Sequence, residues 1–321
     1  MAAIDPFTPT VRPDEGLFTS RNDPNDVRMG DWIVRRREHF AKCQVVLLGC
    51  PQDEGVARNK GRVGAKLAPA EIRRAFYRLP KPAALDPIRL FDLGDLMLPP
   101  SLEEIHALQF ELVRRLLKEG KIVISLGGGN DIAYPDVKAA AKQFGRIAAF
   151  NIDAHLDLRA DREPNSGTPY RQLLEEKHLL PELFTEIGIQ PLANSPRYLE
   201  YAKEQRIAVH PLSEVQERGV DDILRGPLAA SQVKAIVWGF DLDSVRASDA
   251  PGVSAPSPIG LTAEQICRIA TLAGRDARTR LLEVSEVNPT YDVDGRTSRL
   301  AALLLMHALV EIAPRATGGW S

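Results

Sequence analysis

Cysteine is scarce in this chain of 321 residues. Cys43, Cys50 and Cys267 are odd in number and form no CxxC pair. That excludes a disulfide framework and a cysteine zinc site, and it fits reduced thiols in a cytoplasmic protein. An excess of one charge is also lacking: 41 Lys and Arg against 43 Asp and Glu leave a formal net charge of −2. With no basic surplus to neutralise phosphates, nucleic acid is excluded as a partner. No apolar run reaches the roughly 20 residues that a bilayer requires. The most apolar stretch, 300–310, carries His307 and is flanked by polar residues, so no membrane span is expected. The start, MAAIDPFTPTVRPDEG, has early Asp and Pro and no apolar run, so it does not read as a signal peptide. Neither a GxGxxG turn nor a GK[ST] ending occurs at the chain's glycine-rich turn, which excludes a dinucleotide or P-loop site there.

What is present fits an ordinary globular protein, with 44% apolar and 26% charged residues. Residues 1–40 are polar and rich in Pro and Arg, and read as an arm on the surface. Residues 41–321 read as one domain in which strands alternate with helices. Continuous apolar runs at 43–50, 121–126, 146–152, 235–240 and 281–287 predict strands covered on both faces. Pro69 opens a predicted helix over 68–79. Ser101 with Glu104, and Thr262 with Gln265, are capping boxes that open two more. A last apolar helix is expected near 300–312. The span 165–196 reads as loop-rich, an insertion above the sheet. This alternation implies an α/β fold with a mainly parallel central sheet and helices on both faces.

The chemistry collects where predicted strands end. Asp153, His155 and Asp157 follow the run AAFNI at spacings of two, which on a strand places them on one face. Asp241 and Asp243 follow AIVWGF with the same spacing. Crowded carboxylates are costly unless a cation lies between them, so these five residues point to a site for one or two divalent metals. The turn Gly127-Gly128-Gly129 leads to Asn130, and the run LLEVS leads to Glu286. Ligands of open α/β sheets bind beyond the carboxyl ends of the strands, where all four motifs lie. Any one motif alone also fits ordinary strand-end polarity; their joint occurrence is what carries weight. His39, His106, His178, His210 and His307 show no ligand spacing.

NIDAHLDLR, GFDLDSV, SEVNP and the run GCPQDEGVARNKGRVGAKLAPAEIR resemble the ureohydrolases: arginase, agmatinase and formimidoylglutamase. NSGTPYRQL at 165–173 and NPTYDVDGRTSRLAA at 288–302 are most similar to the formimidoylglutamase branch. The resemblance implies a three-layer α/β/α sandwich, one or two Mn2+ ions, and assembly into a homo-oligomer, a trimer or hexamer. It implies that Asp153, His155, Asp157, Asp241 and Asp243 are metal ligands, that Glu286 holds an amidine or guanidine group, and that Asn130 stands where the family usually has a sixth ligand, His. Ser166 likewise stands where arginases and agmatinases have a His. The implied reaction hydrolyses a linear amidine C–N bond of a small molecule, N-formimidoyl-L-glutamate giving L-glutamate and formamide. In it Asp157 passes a proton to the leaving nitrogen. Arg159 is expected to meet a substrate carboxylate, with Asn165, Ser166, Gly167 and Thr168 around the amino-acid end. Arg171, Arg296 and Arg299 are lesser candidates. Residues 249–262 are expected to form one wall of the pocket. Two alternatives stand beside this: an agmatinase or guanidinobutyrase substrate, or a non-catalytic homologue whose metal site is weakened by Asn130.

Overall fold

The computed structural model describes residues 4–318; residues 1–3 of the arm expected over 1–40, and residues 319–321, lie outside the described residues. Nine strands form one sheet: β1 Thr10–Val11, β2 Val45–Gly49, β3 Leu90–Leu96, β4 Ile122–Leu126, β5 Ala148–Ile152, β6 Phe184–Ile189, β7 Ala208–Pro211, β8 Ile236–Asp241 and β9 Thr279–Ser285. Their order is β1-β3-β2-β4-β9-β8-β5-β6-β7. β1 pairs antiparallel with β3 and every other pair is parallel.

Side chains alternate across the pleat, so the apolar runs feed two cores at once. Leu47, Ile124, Phe150, Trp238 and Leu282 face one core; Val46, Val123, Ala149, Val237 and Leu281 face the other. The first core is closed by the helices Ala68–Tyr77, Ala263–Arg275 and Arg296–Ile312, the second by Leu102–Lys118 and Ala133–Phe144. The outcome is the three-layer α/β/α sandwich expected. Both capping boxes form: Ser101 accepts from the Glu104 amide and Thr262 from the Gln265 amide, and each Glu or Gln side chain returns to the cap.

One expectation is corrected, and two further features were not read from the sequence. The span 165–196 is not only loop: it contains the helix Pro169–Glu175 and strand β6. Glu186 and Gly188 break the apolar signature of β6, which hid the strand. Strand β3 was hidden in the same way by Asp92 and Asp95, which make sense only against the buried Arg73 of the helix Ala68–Tyr77 (Arg73 Nε to Asp92 Oδ2, 2.9 Å). Finally, the last helix with its extension, Arg296–Arg315, spans 20 residues and is long and apolar enough by length and composition to cross a membrane. It packs instead against Ala263–Arg275 and Ala68–Tyr77, with 61% of its apolar window buried, as a core helix.

Of the first 40 residues, Thr10 and Val11 join the sheet edge, and Leu17, Met29 and Ile33 are buried in the first core.

Candidate metal centre and substrate pocket

The five acidic and imidazole side chains do converge, though not by strand alternation. β5 ends at Ile152, before the motif begins. Asp153 Oδ1 then accepts the His155 backbone N–H at 2.7 Å, which turns the chain, and Asp157 sits in the left-handed region at φ 48°. β8 ends in the same way: Asp241 Oδ1 accepts the Asp243 N–H at 2.8 Å and opens a short turn over Leu242–Ser244. The Asp153-x-His155 and Asp241-x-Asp243 motifs are therefore Asx turns, in which the first side chain accepts in place of a backbone carbonyl. Arg159, two residues past Asp157, lies in loop.

One ligand atom each from Asp153, His155 and Asp243 lie within 4.8 Å of one another, and so do one each from Asp153, Asp157 and Asp241. The two groups share Asp153, which is fully buried; Asp241 and Asp243 are buried and His155 is 30% exposed. His155 Nδ1 lies 3.3 Å from Asp243 Oδ2 and 3.5 Å from Asp153 Oδ1. Mainly because of Asp243, the imidazole is pushed up to about 12. Burial, with Asp243 adding to it, pushes Asp153 up to about 6. Burial and then Asp153 raise Asp157 and Asp241 well above the usual carboxylate range. So many anions held out of water require compensating positive charge. Asp243 Oδ1 is buried without a hydrogen-bond partner among the described residues. Four carboxylates and one imidazole, with an orphaned buried oxygen among them, fit a divalent cation that prefers oxygen and tolerates nitrogen.

Asn130 joins this group from the glycine turn. Gly128 permits the approach: a Cβ there would lie 1.5 Å from the Gln52 carbonyl oxygen. Asn130 Nδ2 donates to Asp157 Oδ2 at 2.7 Å and Asp153 Oδ2 at 3.2 Å, while its Oδ1 accepts from Ser285 Oγ at 3.0 Å. Its backbone N–H donates to Glu286 Oε1 at 2.7 Å. Glu286, at φ 60°, turns the chain out of β9 and is buried, and its Oε2 has no hydrogen-bond partner among the described residues. Burial is the main cause that pushes this carboxyl up to about 8; Ser254 and the Asn130 amide oppose it and Asp243 adds to it. A cation opposite Glu286 reverses that push.

Above these groups opens a cavity of about 320 Å³. Asp157, Asp241, Asp243 and Glu286 line it, together with Lys60, Arg62 and Arg159. Of the expected substrate loop only Ser166 reaches the lining. Asn165 and Thr168 are spent on the loop itself: Asn165 Oδ1 accepts the Gly167 N–H at 2.9 Å, and Thr168 Oγ1 donates to the Asn165 carbonyl at 2.9 Å. Gly167 makes room, because a Cβ there would lie 2.6 Å from Arg159 Cδ. Ser254 and Ala255 supply the wall expected from 249–262. Arg171, Arg296 and Arg299 do not line the cavity. Sequence reasoning missed Asn59, Lys60, Arg62, Asn194 and Tyr198; the first three lie in the run quoted for its resemblance, and that was the available signal.

The arginase family model matches residues 43–310. A formimidoylglutamase of Staphylococcus aureus is 36% identical over 310 residues, covering 92% of this chain and 96% of that protein. Two solved structures share the fold. One is the formiminoglutamase of Trypanosoma cruzi with Mn2+, 32% identical at TM-score 0.83, covering 90% of this chain and 99% of that one. The other is the formimidoylglutamase of Bacillus subtilis, 28% identical at TM-score 0.86, covering 92% and 94%. With the paired Asx turns, the carboxylate-rich floor and these matches across most of its length, the chain belongs to the arginase family.

Proposed function

We propose that this chain hydrolyses N-formimidoyl-L-glutamate to L-glutamate and formamide at a manganese centre held by Asp153, His155, Asp157, Asp241 and Asp243, with Asn130 beside it. The observation that carries the reading is the division of charge in the cavity: four acids line it together with a guanidinium, Arg159, that makes no side-chain hydrogen bond or ion pair among the described residues. The proposed substrate has a cationic amidine at one end and carboxylates at the other.

When bound, manganese supplies Lewis acidity that makes a water nucleophilic near neutral pH. The chain's residues do the rest. Glu286 Oε2 accepts from the amidinium, which fixes the carbon to be attacked and draws charge toward it. Asn130 holds the other Glu286 oxygen in place through its backbone N–H. Asp157 takes up the proton that the attacking water gives up and passes it to the departing α-nitrogen as the C–N bond breaks, so that glutamate leaves as an amine while the carbon keeps the water's oxygen as formamide. Arg159 pairs with the α-carboxylate, its guanidinium side seated against Gly167. Agmatine, which has no carboxylate, leaves Arg159 without a partner.

The test is formamide release from N-formimidoyl-L-glutamate by manganese-loaded protein beside a chelated control. Turnover that depends on the metal supports the reading; no turnover at confirmed metal content removes it.

A further inference from the structure

N-formimidoyl-L-glutamate carries a second carboxylate, on its side chain, and Arg159 can satisfy only one. The other cations of the cavity are Lys60 and Arg62. Arg62 is committed: its Nη2 donates to the carbonyls of Val253 at 2.5 Å and Pro251 at 3.4 Å, and its guanidinium lies 4.1 Å from the Tyr291 ring centre. Lys60 is exposed at the cavity and its ammonium has no hydrogen bond or ion pair among the described residues.

The backbone of Lys60 is also informative. It follows the short helix Glu54–Arg58, whose C-cap is Asn59. The Gly61 N–H donates to the Val56 carbonyl at 2.9 Å and the Lys60 N–H to the Ala57 carbonyl at 3.0 Å. That pair of bonds is a Schellman motif with Lys60 at its left-handed position, φ 63°, where glycine is the usual occupant. A lysine gains nothing for the turn there, but the turn brings it to the cavity lining. Its neighbour Asn59 ties this turn to the substrate loop, Nδ2 to Ser166 Oγ at 3.0 Å, next to Gly167 and Arg159.

We propose that Lys60 is a specificity-determining residue that binds the side-chain carboxylate of a dicarboxylic amino-acid substrate, with Arg159 on the α-carboxylate. This rests on the amidine-hydrolysis reading above. Both cations are exposed at the cavity; Arg159 lies against Gly167 and is assigned the carboxylate nearer the reacting carbon, and Lys60, on the facing turn, the outer one. Selection then works by charge: a neutral side chain leaves the ammonium unmatched.

The variant Lys60→Gly separates recognition from folding, because glycine relaxes the left-handed turn. With the full manganese-loaded chain, kcat/KM is compared for N-formimidoyl-L-glutamate and N-formimidoyl-L-glutamine. The expected result is that the glutamate-over-glutamine ratio falls roughly fivefold or more, through KM, without loss of Tm. Lys60→Arg restores most of the ratio. Equal loss on both substrates, or no change in the ratio, overturns the proposal. Calorimetric binding of the amino acids L-glutamate and L-glutamine reads the same preference without turnover. If wild-type protein hydrolyses neither amidine, the functional reading falls. The Lys60 assignment then stands on a preference for L-glutamate that Lys60→Gly abolishes, and falls if wild-type protein shows no such preference.

Discussion

Glu286→Gln is the sharpest perturbation of the proposed chemistry because the site predicts which half of the side chain matters. Glu286 Oε1 accepts the Asn130 N–H at 2.7 Å, and the amide oxygen of Gln keeps that bond. The partnerless Oε2 becomes an NH2 aimed at the cavity, where an amidinium also presents only donors. One charge-assisted hydrogen bond is lost and one donor is left facing another. Together these amount to about 3–5 kcal/mol, roughly a 10²–10⁴-fold loss of kcat/KM. Because charge develops on the amidine carbon's substituents during attack, part of the loss falls on kcat and not on KM alone. The assay is initial rates of formamide release by manganese-loaded protein, with a melting curve of the same sample. Burial pushes the native carboxyl up to about 8, so replacing it by a neutral amide does not lower the Tm of the metal-free protein at pH 9. A variant with kcat/KM within threefold of wild type would refute the assigned role.

Two further outcomes are expected. Asn130→His places an imidazole where Asn130 Nδ2 now meets Asp153 and Asp157, and manganese should bind at least about tenfold tighter by titration calorimetry; unchanged affinity removes Asn130 from the ligand shell. Asp136→Asn tests a buried acid away from the metal group: burial pushes Asp136 up to about 6 from 3.8, against hydrogen bonds from Ser125 and Gln109. A raised acid binds more protons folded than unfolded, so stability falls as pH rises from 3.8 through 6; at about 1.4 kcal/mol per pH unit, Asn stabilises on the order of 3 kcal/mol at pH 8 and gives nothing at pH 3.5. Urea melts at the two pH values decide it, and an equal effect at both overturns the burial argument.

The metal motif was legible because it pairs two signals that rarely coincide: a fully apolar strand and, immediately after it, carboxylates two apart. The reason given for it was nevertheless incomplete. Alternation on a strand and an Asx turn both bring Asp153 and His155 together, and sequence spacing alone does not distinguish them; only the chain direction after Ile152 does. The substrate loop shows the converse. Asn165 and Thr168 were expected as contacts for their polarity, yet their hydrogen-bonding capacity is used inside the loop. Polar residues near a site divide between those that touch ligand and those that hold the others still, and composition does not sort them. Lys60 was passed over because a lysine in a Gly-flanked turn looks like ordinary surface.

The polar residue that hid strand β6 leads back to the site. Register places Ser125, Glu283, Gly239, Asn151 and Glu186 in a single row across β4, β9, β8, β5 and β6. Parallel partners at one level project to the same face, so this is one polar layer inside the sheet, just below the strand ends that carry the acids. Asn151 Nδ2 joins its two sides, donating to Glu186 Oε2 at 3.0 Å and to the candidate ligand Asp153 at 3.2 Å. Tyr170 completes the layer by donating to Asn151 Oδ1 at 3.1 Å, and it fits only because residue 239 is glycine: a Cβ there would lie 2.7 Å from the Tyr170 oxygen. Read along one strand, Glu186 and Glu283 are defects in an apolar pattern. Read across the sheet, they share one polar level at which Glu186 supports Asp153 through Asn151, and long-range register, which no local window contains, is what converts one reading into the other.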